Sequence, residues 1–150
     1  MDNKPILLLL EENELNISAL YSLYARKIPH KSAFWEQLSN EEISHASSLG
    51  NDSARVDPAR SIVENKFSRG VIQYVMDFVL EEIRRAEKEN VTHFDALQTA
   101  LRIERSILEK KCFDMFMPAD TTIQELFQKM NDETEQHIRT LTEEIESQGT

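Results

Sequence analysis

One pattern of ionisable residues occurs twice in this chain, once in each half, and it restricts the fold more than any other feature. In the first half Glu14 is followed, beyond Pro29, by the box Glu42-Ile43-Ser44-His45. In the second half Glu104 is followed, beyond Pro118, by Thr134-Glu135-Gln136-His137. Each box sets its first and last residues three apart, which on an α-helix is one face. Both glutamates and both boxes interrupt apolar stripes. The first stripe reads Leu7, Leu10, Glu14, Ile17, Tyr21, Tyr24, Ile28, and the next Trp35, Leu38, Glu42, His45, Leu49. The third reads Phe94, Leu97, Leu101, Glu104, Leu108, Cys112, Met115, and the last Ile123, Phe127, Met130, Thr134, His137, Leu141, Ile145. Alternating steps of three and four are the seams of helices in a bundle.

These seams predict helices over about 4–28, from residue 31 or 32 to Gly50, from 93 or 94 to 116, and from just after Pro118 to about 147, where the tail frays. Pro29 and Pro118 mark short connections, so each half is an antiparallel helical hairpin. Between the halves, a further helix over about 69–88 follows a polar stretch and a short turn near 62–67. The whole reads as a single all-α domain over 1–150, a four-helix bundle whose long crossover carries an additional helix. With 3 Gly and 4 Pro the composition leaves little room for a turn-rich fold.

Carboxylates inside a bundle are costly unless paired, protonated or bound to a metal. Glu14, Glu42 and Glu104, with His45 and His137, fall at mid-helix and at matched depth. A bundle closing on them without a cation gathers negative charge that nothing offsets. The five residues are therefore the candidate metal ligands, and Thr134 stands where a fourth carboxylate completes the repeat. Glu133, next to it, points about 100° off the seam, so it could take that place only if the helix were distorted. His30, beside Pro29, and His93, at a helix start, read as exposed polar residues.

The net charge of −10 argues against nucleic acid and against an anionic membrane surface. Cys112 is the only cysteine, which excludes an internal disulfide and any Cys-based metal centre and reads as a reduced core thiol. Ile6–Leu10 is too short an apolar run for a signal peptide or a membrane span. A cytoplasmic protein is expected. The crossover helix carries Val71, Ile72, Tyr74, Val75, Met76, Phe78, Val79, Leu80 and Ile83, more than one packing face requires. Either the helix is sandwiched inside the chain or part of it faces a second subunit; the second is expected, making a homodimer.

The ordered set resembles the ferritin-like superfamily, and within it the stand-alone rubrerythrin-like proteins, over about residues 7–145. Glu14 and Tyr21 match a ligand Glu followed seven residues later by Tyr. Glu41-Glu42-Ile43-Ser44-His45-Ala46 matches a Glu-Glu-x-x-His-Ala box. Residues 94–104 resemble the Ala-Leu-x-x-Ala run that leads into the family's ligand Glu, here Glu104. The resemblance implies a ferritin-like bundle and a centre of one or two iron ions, with Mn or Zn also suited to the ligands. It implies Glu42 and Glu104 as bridges, Glu14 with His45 on one ion, His137 on the other, and Tyr21 as a catalytic residue. The implied activity is peroxide or O2 reduction, or Fe(II) oxidation. A rubredoxin-like domain needs four cysteines, so electrons must come from an external donor. Thr134 departs from the pattern and leaves the second ion short of a ligand, and Ile107 gives no sign of the extra carboxylate that classical rubrerythrins carry on that helix. The competing reading is a non-enzymatic helical interaction protein with a degenerate site. A two-metal hydrolase is disfavoured by the lack of a recognisable substrate-binding loop.

Overall fold

The computed structural model describes residues 6–53, 62–63, 66–109, 117–118 and 121–148, with side chains described for 8–48, 69–106 and 125–148. Among them are five α-helices: α1 (Ile6–Lys27), α2 (Ser32–Ser53), α3 (Lys66–Lys88), α4 (His93–Glu109) and α5 (Thr121–Gln148). Cys112 and Met115, and the side chains of Leu7, Leu49, Ile107, Leu108 and Ile123, lie outside the described residues. Among the described residues no helix is long and apolar enough to cross a membrane.

Between α1 and α2 there is only a 3-10 turn, Pro29–Lys31. Ile28 N–H still donates to Tyr24 O at 2.8 Å, and Lys31 N–H then donates to Ile28 O at 2.9 Å. Pro29 has no N–H to continue the helical ladder, so the chain tightens there and reverses. α1 and α2 pack along one another, and the approach is close because small residues meet at the crossing. Ser18 Oγ donates to Ser39 O and Ser39 Oγ to Ser18 O, both at 3.0 Å. These reciprocal bonds satisfy two buried hydroxyls that would otherwise be costly. α4 packs against α5, and α2 meets α5. The two hairpins therefore face each other, with the core between them.

Three local features differ from the sequence reading. α2 does not stop at Gly50 but runs on to Ser53. A helical glycine costs only about 1 kcal/mol relative to alanine, so an intact hydrogen-bond ladder overrides its preference for the helix end. Ile62–Val63 (β1) and Met117–Pro118 (β2) form a two-residue antiparallel pairing, with Ile62 opposite Pro118 and Val63 opposite Met117. It ties the crossover to the α4–α5 connection, and so short an edge tolerates a proline. His93 is buried, at 5% exposure. Thr92 caps α4, accepting the Asp95 N–H on its Oγ1 at 3.1 Å. This places His93 inward, against the start of α2.

The crossover helix α3 packs on α1 and touches α4. Val71, Ile72, Val75, Met76 and Val79 are buried there, and Phe78 and Ile83 partly so. Most of its broad apolar surface is therefore used inside the chain. Tyr74 and Leu80 remain 54% and 37% exposed.

Candidate metal centre

Each seam carboxylate sits mid-helix because the helix period puts it in line with core residues above and below. Ile17 and Tyr21 follow Glu14 inward on α1, Leu38 precedes Glu42 on α2, Leu97 and Ala100 precede Glu104 on α4, and Met130 and Leu141 flank His137 on α5. Glu14, Glu42, His45, Glu104 and His137 are all buried, none more than 8% exposed. The structure brings all five together as two groups, Glu14–Glu42–His45 and Glu42–Glu104–His137, whose ligand atoms lie within 4.8 Å of one another.

Glu42 belongs to both groups, and its two oxygens divide between them. Glu42 Oε2 lies 3.5 Å from His45 Nδ1, which is also 3.7 Å from Glu14 Oε2. Glu42 Oε1 lies 3.1 Å from His137 Nδ1, which is also 3.4 Å from Glu104 Oε1. Glu104 belongs to the second group alone. The two imidazoles stack, with centroids 5.4 Å apart.

The outer nitrogens of the histidines have partners that the sequence reading missed. His45 Nε2 meets Glu133 Oε2 of α5 at 2.5 Å, and His137 Nε2 meets Glu41 Oε1 of α2 at 3.0 Å. Each histidine is thus held by the glutamate that precedes the other box. Off the seam though it is, Glu133 reaches the centre with α5 unbroken, because α2 lies alongside. The signal was present: a glutamate stands just before the first residue of both boxes. A carboxylate on the far ring nitrogen fixes the ring and leaves Nδ1 to face a metal. A cavity of about 160 Å³, lined by Glu41, Ser44, His45, Glu133, Gln136 and His137, opens over the stacked rings.

Two residues complete the surroundings. Tyr21 O–H donates to Glu104 Oε1 at 3.0 Å. Burial first, and the charges of Glu104 and Glu42 second, push its pKa well above the usual phenol value, so it keeps its proton. Thr134 is buried, but its hydroxyl donates back to Met130 O at 2.9 Å and belongs to neither group. Of the other histidines, His30 is exposed, and His93 is engaged elsewhere, with Trp35 and Glu144.

Without a metal the five groups neutralise one another. Burial pushes the His45 imidazole down, but hydrogen bonds and charge from Glu14 and Glu42 outweigh it and bring it up to about 10. For His137 the same opposition, with Glu104 and Glu42 as partners, brings it up to about 11. Burial and then the neighbouring Glu42 push Glu14 well above the usual carboxylate range. A histidine whose folded pKa exceeds its unfolded 6.5 stabilises fully below 6.5, and that stability is lost as pH rises through the folded value. A carboxyl with a raised folded pKa also costs stability as pH rises. Chemical denaturation of metal-free protein is therefore expected to show stability falling steadily from about pH 6.5 toward 10. A flat or rising profile there would contradict the buried cluster. Because these protons must leave when a cation binds, metal affinity is expected to rise over the same range.

Oxygen and imidazole donors of this kind suit Fe(II), Mn(II) or Zn(II). Removing either outer carboxylate by Glu41→Gln or Glu133→Gln is expected to weaken metal binding about 10–100-fold. Helix content should be unchanged, since both side chains are about one-third or more exposed, at 41% and 34%. Equal affinity in the parent and both variants would show that the outer glutamates play no part.

No family model, no curated protein and no solved structure matches the chain, so its function is read from the geometry of this centre.

Proposed function

We propose that the chain is a rubrerythrin-like non-haem metal protein. α1, α2, α4 and α5 form a ferritin-like four-helix bundle, and α3 rides on the crossover. The observation that carries this reading is Glu42, one buried carboxylate with an oxygen in each of two Glu/His groups. That is how a bridge holds two cations a few ångströms apart. Glu14 and His45 would hold one ion, and Glu104 and His137 the other. Tyr21 steadies Glu104, while Glu133 and Glu41 orient the imidazoles. Bound Fe(II) would supply electrons for reducing peroxide or O2, with an external donor to restore them. The cavity over His45 and His137 gives a small oxidant access.

The test is to load the protein with Fe(II) anaerobically, mix it with hydrogen peroxide, and follow Fe(III) formation by stopped flow. The expected result is oxidation much faster than that of free Fe(II), consuming two Fe(II) per peroxide. Bound Fe(II) that reacts no faster would favour a second reading, a helical interaction protein with a degenerate site. Thr134 favours that reading, because its hydroxyl is spent on Met130 O and Glu42 alone falls in both groups.

The exposed Tyr74 and Leu80 on α3 support a homodimer through that helix. Sedimentation at micromolar concentration is expected to give a dimer that Leu80→Glu weakens. A monomer in the parent protein would count against it.

A further inference from the structure

A second run of buried side chains leads from this centre to the end of the molecule where α1 turns into α2. Tyr21, already bonded to Glu104, lies 5.5 Å from Trp35, ring centroid to centroid. Trp35 is the only tryptophan of the chain and is 0% exposed. Its indole N–H donates to His93 Nδ1 at 3.1 Å. Since Nδ1 accepts, the ring hydrogen sits on Nε2, which donates to Glu144 Oε2 at 2.7 Å. Lys31 Nζ holds the same Glu144 oxygen at 3.0 Å, and the Lys31 and Glu144 side chains are 33% and 18% exposed. Tyr24 and Phe34 pack edge-on to the indole, with centroids at 4.9 and 5.1 Å, and keep its surroundings apolar.

A buried tryptophan needs one acceptor for its N–H, and a backbone carbonyl would serve. Packing alone does not call for an imidazole backed by a carboxylate. Nor does it call for contact with the tyrosine that touches the metal ligands. We propose that Tyr21 and Trp35 form an electron path to the metal centre, with His93 and Glu144 of the Lys31–Glu144 surface taking up and returning the indole proton, an inference that rests on the metal reading above.

The step balances as a proton-coupled transfer. With peroxide at the loaded centre as the oxidant, Trp35 passes one electron inward through Tyr21. The oxidised indole becomes strongly acidic, so its proton moves to His93 Nδ1, and the His93 Nε2 proton moves to Glu144. A one-electron reductant in solution then returns an electron to Trp35, and both protons run back. Two such cycles provide the two electrons that, with two protons from water, convert hydrogen peroxide to two water molecules.

The single tryptophan makes the path observable without turnover. Flash-generated tris(bipyridine)ruthenium(III) oxidises Trp35, and transient absorption distinguishes the neutral radical from the protonated radical cation. In metal-free protein the expected product is the neutral radical, whereas His93→Phe should give the radical cation. In Fe(II)-loaded protein the Trp35 radical should decay at least roughly tenfold faster than in metal-free protein, and Tyr21→Phe should remove most of that acceleration. The metal-free and metal-loaded comparison needs no variant and stands even if a substitution fails to fold. Bound Fe(II) that leaves the lifetime unchanged would overturn the path while leaving the metal reading intact. Equal neutral-radical formation in the parent and His93→Phe would remove His93 from it. A protein that binds no Fe(II) would overturn the metal reading and the path together.

Discussion

Glu42→Gln is expected to lose tight binding of both metal ions, where Glu14→Gln loses chiefly one. Glu42 gives Oε2 to the group with Glu14 and His45 and Oε1 to the group with Glu104 and His137. Glutamine keeps the shape but removes the charge and replaces one anionic oxygen with an amide nitrogen that cannot ligate. Weakening a residue that only orients a ligand costs 10–100-fold in affinity. Removing a ligand shared by two ions should therefore cost at least about 100-fold for the pair. Anaerobic isothermal titration with Fe(II), checked by circular dichroism for unchanged helix content, measures it. In metal-free Glu42→Gln the two imidazoles also lose their common partner, so the fall in stability above pH 6.5 should be shallower. Retention of both equivalents by Glu42→Gln would show that the two groups do not share a bridge.

Thr134→Glu should act in the opposite direction. The Thr134 hydroxyl is turned back onto Met130 O, leaving the seam position beside His137 without a carboxylate. With one bridge, two divalent ions repel each other across Glu42, and the second is expected to bind more weakly than the first. A second bridging carboxylate adds charge and donors to both ions, and should tighten the second equivalent about 10–100-fold. Helix propensity changes by no more than about 0.5 kcal/mol. The metal-free variant, however, gathers one more buried carboxylate without a partner, at a cost of roughly 1–3 kcal/mol. The variant should therefore melt below the parent when metal-free and above it when loaded with Fe(II). Melting curves in the opposite order would mean that residue 134 does not face the centre.

The helices and the seam residues were legible in the sequence for one reason. Burial follows the helical period, so Glu14, Glu42, Glu104 and His137 stand out as polar residues in apolar stripes. What a single-helix projection could not supply was the neighbour. Glu133 is off its own seam, and its reach to His45 exists only because α5 runs beside α2. His93 looked like an exposed residue at a helix start, but its burial is set by the indole of Trp35, far away in sequence. Glu104 falls in one group and not two and takes a hydrogen bond from the Tyr21 hydroxyl, a contact that leaves no periodic trace. Likewise one helix's projection could not say how much of the α3 apolar surface α1 and α4 cover, or that Tyr74 and Leu80 stay exposed. The Gly50 stop failed because a local preference of about 1 kcal/mol yields to a continuous hydrogen-bond ladder.

The most direct test of the centre is an anaerobic Fe(II) titration of the unaltered protein, with binding read by calorimetry and by metal analysis after dialysis. The expected result is one tight equivalent per chain, followed by a second, weaker one, both lost in Glu42→Gln. No tight equivalent in the parent protein, or one that survives Glu42→Gln, would contradict a metal centre built on Glu14, Glu42, His45, Glu104 and His137.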